Sequence, residues 1–539
     1  MSTSPKHSLP EQQVESPCAK RVRATPSILS VGPWAAKQQH HQAAAAKVDA
    51  MDVTTPVTGD IIAQVKLGGA SDVDAAVSAA AEAFPSWSSL TQKRRAAIML
   101  KFHNLCTENS DELVQLIMKE NGKNITEAQG DLAKGLETVE WACSIPHVAP
   151  GRTLAVSGGV TCQEIRDPVG VVACIVPFNF PFMVPMWTTP IALVAGNCVV
   201  LKPSEKVPMT MSRVAELLEK AGVPAGVFQM VQGAKEVVDA LCDHPGIRAL
   251  TFVGSSRVAK LVHERALRTG KKALALGGAK NHLVAAADCD LEMASSDIVA
   301  SFAGCAGQRC MAASVLLTLG AQPALVAKVV EKAAKIEMGQ GKGCMGPVID
   351  AAAESRVTGF VDAAERDGAK ILLDGRKWAS RKHGRTSAEH DGASLSGGHW
   401  VGPTVIEMPT HLRAHPAMSA EIFGPVLCVH AVPDAATALK IERADPHGNA
   451  ACIYTSSGAT ADWFSRRFNA AMVGVNIGVP VPREPFSFGG LEGSLSKFGE
   501  HDITGEGGLN FFTSTRKITT KWANNPDAVP DAANFGGVM

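Results

Sequence analysis

A loop of small residues at 304–312 places Cys310 directly after Arg309. A neighbouring cation lowers the pKa of a thiol, and the thiolate is the form of cysteine that attacks electrophiles. We therefore expect Cys310 to be a nucleophile with a lowered pKa. Cys305, five residues earlier, is flanked only by small residues and is expected to pack as a buried side chain.

A side-chain amide with suitable chemistry lies in the hydrophobic loop 177–181. Asn179 is its one clearly polar residue, and the loop follows an apolar run typical of a strand. In α/β sheets, ligands bind beyond the carboxyl ends of the strands, and an amide at that place can donate to a developing oxyanion. The alternative is that Asn179 only caps the turn.

Two more loops at predicted strand ends carry groups suited to a nucleotide. Lys202 and Glu205 can bond ribose hydroxyls, with the acid excluding a 2′-phosphate, or they can form a solvated loop pair. Gly254 and Ser255 precede a predicted helix and offer backbone N–H groups to a phosphate. Because no GxGxxG motif is present, an ordinary helix cap is the alternative at this second loop.

Alternating strands and helices must position these loops. The sequence predicts a helical region over 71–121, with its first helix ending at Pro85, and β-like runs at 153–156 and 160–165. Strands predicted at 171–176, 198–201, 228–231 and 250–253 alternate with helices at 210–221 and 237–242. This alternation indicates an α/β fold with a parallel sheet.

Composition excludes several classes of protein. Lysine plus arginine equals aspartate plus glutamate, 52 each, so no net field recruits nucleic acid or an anionic membrane. An uncharged run of 34 residues, 168–201, is long enough to cross a bilayer but contains five prolines, so it predicts a buried strand, a loop and a buried helix. The 13 cysteines include no CxxC pair, which favours a reduced compartment and no metal site.

Two segments differ from the rest of the chain. Residues 1–47 are rich in Ser, Pro, Gln and His and predict a flexible extension. Their basic cluster also suits an organelle-targeting presequence, but Glu11 and Glu15 depart from the acid-poor pattern of such peptides. The polar stretch 376–399 predicts a surface insertion.

Taken together, these residues resemble the aldehyde dehydrogenase superfamily and, more narrowly, its CoA-acylating methylmalonate-semialdehyde dehydrogenases. The resemblance covers about residues 50–523 and rests on PFNFPFMVPMW at 177–187, KPSEKVP at 202–208, DHPGIRALTFVGS at 243–255, GAKNH at 278–282, AGQRCMA at 306–312, EIFGPV at 421–426 and VNIGVPVP at 475–482. It implies a Rossmann-like NAD domain, an α/β catalytic domain and a small β oligomerisation element, with homodimers or homotetramers as the assembly.

The implied domain boundaries follow the order of the chain. The NAD-binding domain would comprise 48–145 and 169–275, and the catalytic domain 276–490. The oligomerisation element would comprise 146–168 and 505–523. The N-terminal β-hairpin of the family is expected before residue 50, where an Ala/Gln/His stretch stands instead.

The resemblance also assigns roles to individual residues. Cys310 would attack the aldehyde, and Asn179 and the Cys310 backbone amide would form the oxyanion hole. The NAD site would comprise Val176, Phe178, Lys202, Glu205, Lys206, Ser255, Glu421 and Phe423. A substrate carboxylate would bind Arg309 and Lys134, where lysine replaces the expected arginine and loses its bidentate fork.

The fate of the acyl group depends on one further position. Hydrolytic members carry a glutamate that activates water, but here Leu276 or Ala275 stands there, depending on the alignment. We therefore expect coenzyme A to accept the acyl group. The implied reaction is NAD-dependent oxidation of methylmalonate or malonate semialdehyde to propionyl-CoA or acetyl-CoA with loss of CO2.

Three alternatives to this reaction stay open. The first is a hydrolytic enzyme that releases a free acid, the second a non-catalytic binding protein, and the third a cysteine hydrolase, for which no histidine pairs with Cys310 in an obvious motif. The resemblance further implies a mitochondrial location and a part in valine breakdown, with the cytoplasm as the alternative location.

Overall fold

A computed structural model describes residues 28–29, 50–149, 151–157, 159–376, 378 and 397–522. Most of the predicted extension and most of the predicted insertion lie outside these residues. The described strands are β1 Ile28–Leu29, β2 Ala50–Thr54, β3 Ile61–Lys66, β4 Arg152–Ser157, β5 Val160–Pro168, β6 Val171–Ile175, β7 Cys198–Lys202, β8 Phe228–Met230, β9 Ile247–Val253, β10 Lys272–Leu276, β11 Asn281–Ala285, β12 Ala313–Leu319, β13 Lys370–Leu373, β14 Thr404–Glu407, β15 Val426–Val432, β16 Ala450–Tyr454, β17 Met472–Val475, β18 Lys497–Phe498 and β19 Thr513–Lys521.

Helices connect most of these strands. They are α1 Ala70–Ser88, α2 Gln92–Glu108, α3 Ser110–Asn121, α4 Ile125–Val148, α5 Met183–Ala195, α6 Pro208–Ala221, α7 Lys235–Asp243, α8 Ser256–Arg268, α9 Leu291–Ala303, α10 Pro323–Ala334, α11 Ala351–Arg366, α12 Pro416–Ser419, α13 Ala435–Ala444, α14 Gly458–Ser465 and α15 Gly505–Phe511. The prediction of an α/β fold with parallel sheets is confirmed, and β6 to β9 lie within a few residues of their predicted positions.

The first large sheet has the order β18-β10-β9-β6-β7-β8, in which only β18 is antiparallel to its neighbour. Its central strands β6 and β7 are buried along their whole length, which explains their uninterrupted apolar sequences. The chain adds β7 and β8 on one side of β6 and then places β9 and β10 on the other side. A reversal of this kind opens a crevice at the carboxyl ends of the two strands where it occurs.

The second large sheet has the order β13-β14-β15-β12-β11-β16-β17, and all of its pairs except β13–β14 are parallel. Its buried side chains form a core separate from that of the first sheet. Cys310 lies just before β12, at the amino edge of this sheet. Asn179 follows β6, at the carboxyl edge of the first sheet, so the facing edges of the two sheets carry the two predicted catalytic groups.

Two small sheets complete the fold. In the first, β2 and β3 form an antiparallel hairpin and β1 pairs with β3. This hairpin lies at 50–66, whereas the stretch before residue 50, where the sequence is expected to replace the family's hairpin, lies outside the described residues apart from Ile28–Leu29. In the second, β5 pairs with β4 and β19, and β4 is exposed along its whole length. Its role in assembly stays a prediction.

The uncharged run folds as its prolines predict. It forms the buried strand β6, the loop at 176–182, the buried helix α5 and most of β7. Of the helices that the structure describes, none is long and apolar enough to cross a membrane. The run is therefore core that carries Asn179 in its loop.

The predicted end of the first helix at Pro85 is wrong, because α1 continues to Ser88. Proline removes one backbone donor, and the final turn needs another source of stability. Trp87 supplies it, since its ring is buried and its Nε1 donates to the Leu193 carbonyl at 3.1 Å. A long-range contact that the local pattern does not show thus extends the helix.

Candidate active site

A cavity of about 1200 Å³ opens at the crevice beyond β6, β7 and β9. Six of the residues predicted to bind the cofactor line it: Val176, Phe178, Lys202, Glu205, Lys206 and Ser255. They come from loops that follow three strands of one sheet, so the parallel topology alone brings them together. We call this space the cofactor cavity.

Lys202 and Glu205 form a fixed pair on the wall of the cofactor cavity. Lys202 Nζ lies 3.1 Å from Glu205 Oε2 and 2.6 Å from the Pro203 carbonyl. The lysine side chain is only 5% exposed, and burial lowers its pKa. The lysine of this pair is therefore buried, whereas the Glu205 side chain is 28% exposed, and both residues line the cofactor cavity.

The start of α8 provides free donors at the opposite wall. Gly254 and Ser255 line the cavity, and Ser255 is the N-cap residue but makes no side-chain cap bond. The first-turn amides of a helix have no partner within the helix and attract anions. This uncapped turn fits a pyrophosphate, so the ordinary helix cap is not the arrangement observed.

A second cavity of about 310 Å³ shares the walls formed by Phe178, Gly254 and Ser255. It is lined by both predicted catalytic residues, Cys310 and Asn179, and by the two remaining predicted cofactor residues, Glu421 and Phe423. We call it the catalytic cavity. Because the two cavities adjoin, a nucleotide in the first can reach a group bound to Cys310 in the second.

Two asparagine side chains fix the backbone of Cys310. Asn281 Nδ2 and Asn449 Nδ2 donate to the Cys310 carbonyl at 2.8 and 2.9 Å. Cys310 is half-buried and lines the catalytic cavity, whereas Cys305 is buried, as expected for a packing residue. Cys305 also adopts a left-handed backbone conformation with φ 52°. Of these two cysteines, Cys310 is the one that lines the catalytic cavity.

The expectation of a lowered pKa for the Cys310 thiol is wrong. Burial, followed by the nearby Glu421 carboxylate, raises the pKa of Cys310 to about 12. The backbone N–H groups of Cys310 and Met311 oppose this rise, and Arg309 opposes it least. The Arg309 guanidinium lies instead towards Glu127, 3.9 Å away, and interacts with the Cys305 thiol.

Asn179 links the two catalytic loops. Its side chain is buried, and Nδ2 donates to the Gln308 carbonyl at 3.0 Å, across the gap between the sheets. The side chain therefore does more than cap its own turn. An amide nitrogen carries two N–H groups, so the second remains suited to donate to an oxyanion in the catalytic cavity.

Glu421 and Phe423 close the side of the catalytic cavity next to the cofactor cavity. Glu421 Oε1 accepts from the Ala279 N–H at 3.1 Å, and burial raises the pKa of this carboxyl. The Phe423 ring packs edge-on against Phe178, with ring centres 5.9 Å apart. Phe423 has φ 54°, a conformation rare for a bulky side chain and typical of functional sites.

The two predicted carboxylate-binding residues do not line the catalytic cavity. Lys134 Nζ pairs with Glu137 at 2.8 Å on the surface of α4, and Arg309 approaches Glu127 on the same helix. Glu127 and Lys134 are seven residues apart, about 10 Å along the helix axis. Their contact with a substrate stays a prediction.

Sequence reasoning missed other residues of the catalytic cavity. Arg356 of α11 adds a cation, and its Nε donates to the Ile422 carbonyl at 3.2 Å. No motif in the sequence marks Arg356. Val184 and Trp187 form an apolar wall. Both residues belong to the motif PFNFPFMVPMW at 177–187, so the motif could have indicated that they line the site.

The site thus joins a nucleotide-shaped cavity to a cysteine with an amide donor beside it, an arrangement suited to oxidation through a covalent thioester. Residues 43–518 match the model of the aldehyde dehydrogenase family, and the chain belongs to this family. It is an oxidoreductase that acts on aldehydes.

Within this family, the chain is similar to malonate-semialdehyde dehydrogenases. The chain is 39% identical over 475 residues to malonate-semialdehyde dehydrogenase 1 of Geobacillus thermodenitrificans, covering 87% of this chain and 95% of the relative. It is 38% identical to malonate-semialdehyde dehydrogenase of Pseudomonas aeruginosa, covering 87% and 93%.

Solved structures agree with these relatives. Methylmalonate-semialdehyde dehydrogenase of Oceanimonas doudoroffii matches with a TM-score of 0.83 at 37% identity, over 89% of this chain and 96% of that one. A second structure, described as a putative methylmalonate-semialdehyde dehydrogenase of Sinorhizobium meliloti complexed with NAD, gives the same TM-score and coverage at 36% identity.

Proposed function

We propose that the protein oxidises malonate or methylmalonate semialdehyde with NAD and transfers the acyl group to coenzyme A, with loss of CO2. The relatives named above support the substrate class. The observation that carries the choice of acceptor lies at the end of β10. Ala275 and Leu276 are buried apolar residues at the two alignments of the hydrolytic glutamate, directly before Gly277 and Gly278 of the catalytic cavity.

The cofactor cavity fits NAD on the observations above. Lys202 and Glu205 would hold the ribose next to the adenine, the uncapped start of α8 would hold the pyrophosphate, and Glu421 would hold the ribose next to the nicotinamide. The charge of Glu205 also disfavours a 2′-phosphate. Bound there, NAD supplies a hydride acceptor.

The residues of the catalytic cavity account for the first chemical step. Cys310 Sγ forms a bond to the aldehyde carbon, and the carbonyl electron pair moves to oxygen. Asn179 and the Cys310 backbone N–H would donate to that oxygen, and each such donor contributes about 100-fold or more to the rate. Because burial raises the pKa of Cys310, the thiol proton must leave as the bond forms, and the Glu421 carboxylate, which also lines the cavity, would accept it.

Oxidation leaves an acyl group as a thioester on Cys310, and its β-carboxylate is set up to depart. Loss of CO2 sends the electron pair onto the thioester oxygen as an enolate, which then takes a proton at carbon. The same Asn179 donor would stabilise this enolate oxygen, so one oxyanion hole serves addition and decarboxylation. The thiol of coenzyme A would then displace Cys310 from the acyl carbon.

One observation favours a second candidate, hydrolysis to a free acid. Glu421 lines the catalytic cavity, and burial raises the pKa of its carboxyl, which makes it a stronger base than an exposed glutamate. Its hydrogen bond to the Ala279 N–H ties one oxygen to the backbone and leaves the other. Glu421 therefore supplies the base that a hydrolytic alternative needs.

Product analysis separates the two candidates. The enzyme is given malonate semialdehyde, methylmalonate semialdehyde and aldehydes that lack a carboxylate with NAD, with and without coenzyme A, and thioesters are identified by mass. We expect acetyl-CoA and propionyl-CoA from the first two substrates and sustained NADH formation only with coenzyme A. The Cys310→Ala variant gives the background.

Full-rate NADH formation without coenzyme A, with acid as the product, would establish hydrolysis and overturn the acceptor. In that case Glu421→Gln should abolish the hydrolytic turnover. A preference for aldehydes that lack a carboxylate would overturn the substrate class and leave the family unaffected. The assembly and the compartment stay predictions.

A further inference from the structure

Lys123 is a buried charge that the reaction described above does not use. It lies between α3 and α4, and its side chain is 1% exposed. Its ammonium group donates to Asp131 Oδ2 at 2.7 Å and to the backbone carbonyl of Asn179 at 2.6 Å. It also lies 3.8 Å from the centre of the Phe180 ring. Two of these three partners belong to the loop that carries Asn179.

The neighbours of Lys123 bind the same loop on either side. Asn121 Nδ2 donates to the Phe178 carbonyl at 2.8 Å, and Asp131 Oδ1 accepts from the Met183 N–H at 2.7 Å. This last bond caps α5, whose N-cap Phe182 has no polar side chain. The loop at 177–182 is thus held by buried polar side chains from a segment about 50 residues away in sequence.

A buried ion pair contributes little to stability compared with apolar residues of the same size, so stability alone is a weak reason for this pair. Its geometric effect is specific. Lys123 fixes the Asn179 carbonyl, while Gln308 fixes the Asn179 side chain through Nδ2 at 3.0 Å. Held at both ends, the amide has one direction relative to Cys310, which is the condition for an effective oxyanion donor.

We propose that Lys123, paired with Asp131, is a positioning residue that aims the Asn179 amide at the oxyanion. The inference rests on the proposed role of Asn179. Lys123 does not itself line the catalytic cavity, and it acts on the reaction through the Asn179 backbone.

The start of α4 holds the other catalytic loop as well. Glu127 Oε1 accepts from the Cys305 N–H at 2.5 Å, and Cys305 belongs to the loop that carries Cys310. Asn124 and Glu127 also form the capping box of this helix. Residues at or next to the start of α4 therefore contact both the loop of Asn179 and the loop of Cys310.

A double-mutant cycle between Lys123 and Asn179 tests the proposal. The variants are Asn179→Ala, Lys123→Met and the two combined, assayed by NADH formation at saturating NAD. We expect Asn179→Ala to lower kcat by about 100-fold or more. Lys123→Met should lower kcat by about tenfold or more, since a small misplacement of a catalytic group is costly. The combined variant should match Asn179→Ala within about twofold, because Lys123 has nothing left to aim.

Matched variants separate positioning from folding. Lys119→Met removes an exposed lysine from the last turn of α3 and should leave kcat unchanged. Lys123→Met combined with Asp131→Asn removes both buried charges and keeps an oxygen for the Met183 N–H, so it replaces Lys123→Met in the cycle if the single variant does not fold. Alkylation of Cys310 by iodoacetamide and the Kd for NAD should stay within about twofold of the parent protein.

Each outcome has one meaning. Effects that multiply in the combined variant would overturn the proposal, because Lys123 would then act independently of Asn179. A Lys123→Met protein with unchanged kcat would overturn it too. If Asn179→Ala itself keeps full kcat, the oxyanion assignment fails first and the positioning proposal fails with it.

Discussion

The cofactor cavity and the catalytic cavity share a wall but are built in different ways. The cofactor cavity is formed by consecutive strand ends of one sheet, and its charged pair, Lys202 and Glu205, is local in sequence. The catalytic cavity joins loops of two sheets, and Asn179 is held by Gln308 and Lys123, 129 and 56 residues away. We therefore expect substitutions in the cofactor cavity to lower mainly the affinity for the cofactor. Substitutions that disturb the long-range contacts of Asn179 should lower mainly kcat, because they displace a catalytic group.

The largest expected effect falls on the nucleophile. Cys310→Ala removes the atom that binds the substrate, and we expect NADH formation to fall by at least about 1000-fold. NAD should still bind, because the cofactor cavity is built from other loops. Initial rates and NAD titration by fluorescence measure the two effects separately.

Cys305→Ala is the matched control for this variant. Cys305 is buried and does not line the catalytic cavity, so its replacement should keep NADH formation. Turnover that is retained in Cys310→Ala would show that Cys310 is not the nucleophile. If turnover is also lost in Cys305→Ala, Cys305 would be the nucleophile instead. Loss of NAD binding in Cys310→Ala would show that the two cavities are not built independently.

An intermediate effect is expected at the wall of the cofactor cavity. Glu205→Gln removes a charged acceptor for the ribose, and we expect KM for NAD to rise about tenfold while kcat changes by less than about twofold. The discrimination against NADP should also fall, because the excluding charge is gone. Steady-state kinetics with both nucleotides measure the change.

Glu219→Gln provides the control for this position, since Glu219 is an exposed acid on α6. It should leave both constants unchanged. A Glu205→Gln protein in which kcat falls strongly and KM for NAD stays constant would contradict the division between an affinity region and a rate region.

The smallest effect is expected on the outer face of α4. Lys134 forms an ion pair with Glu137, which also binds Arg483. Ion pairs with this degree of exposure contribute up to about 1 kcal/mol to stability. Lys134→Arg should therefore change KM for malonate semialdehyde by less than about fivefold. A fall of tenfold or more would place position 134 in the carboxylate site, as the resemblance implies.

The difference between the two cavities also explains how much of the site the sequence predicts. Strand ends are local features, so Lys202, Glu205 and Ser255 follow from short apolar runs and the loops after them. Asn179 and Cys310 stand out by residue type, and the structure brings them into one cavity. For these residues, the residue type and the local sequence pattern both indicate a position in the site.

Tertiary contacts explain what the sequence does not predict. Nothing in the local sequence marks Lys123 as a residue of the site, because the catalytic loop that it binds lies 56 residues away. The thiol of Cys310 has a raised pKa because burial outweighs the adjacent Arg309, which turns towards Glu127. Burial and side-chain direction both depend on the assembled sheets and leave no signal in residue spacing.

The pre-steady-state time course of NADH with malonate semialdehyde in the absence of coenzyme A shows whether the acyl group on Cys310 waits for a thiol acceptor. The catalytic cavity presents Cys310 but no acid at position 275 or 276. We expect a burst of one NADH per active site, followed by a slow phase that adding coenzyme A restores to full rate. A linear time course at full rate without coenzyme A, with free acid as the product, would contradict it.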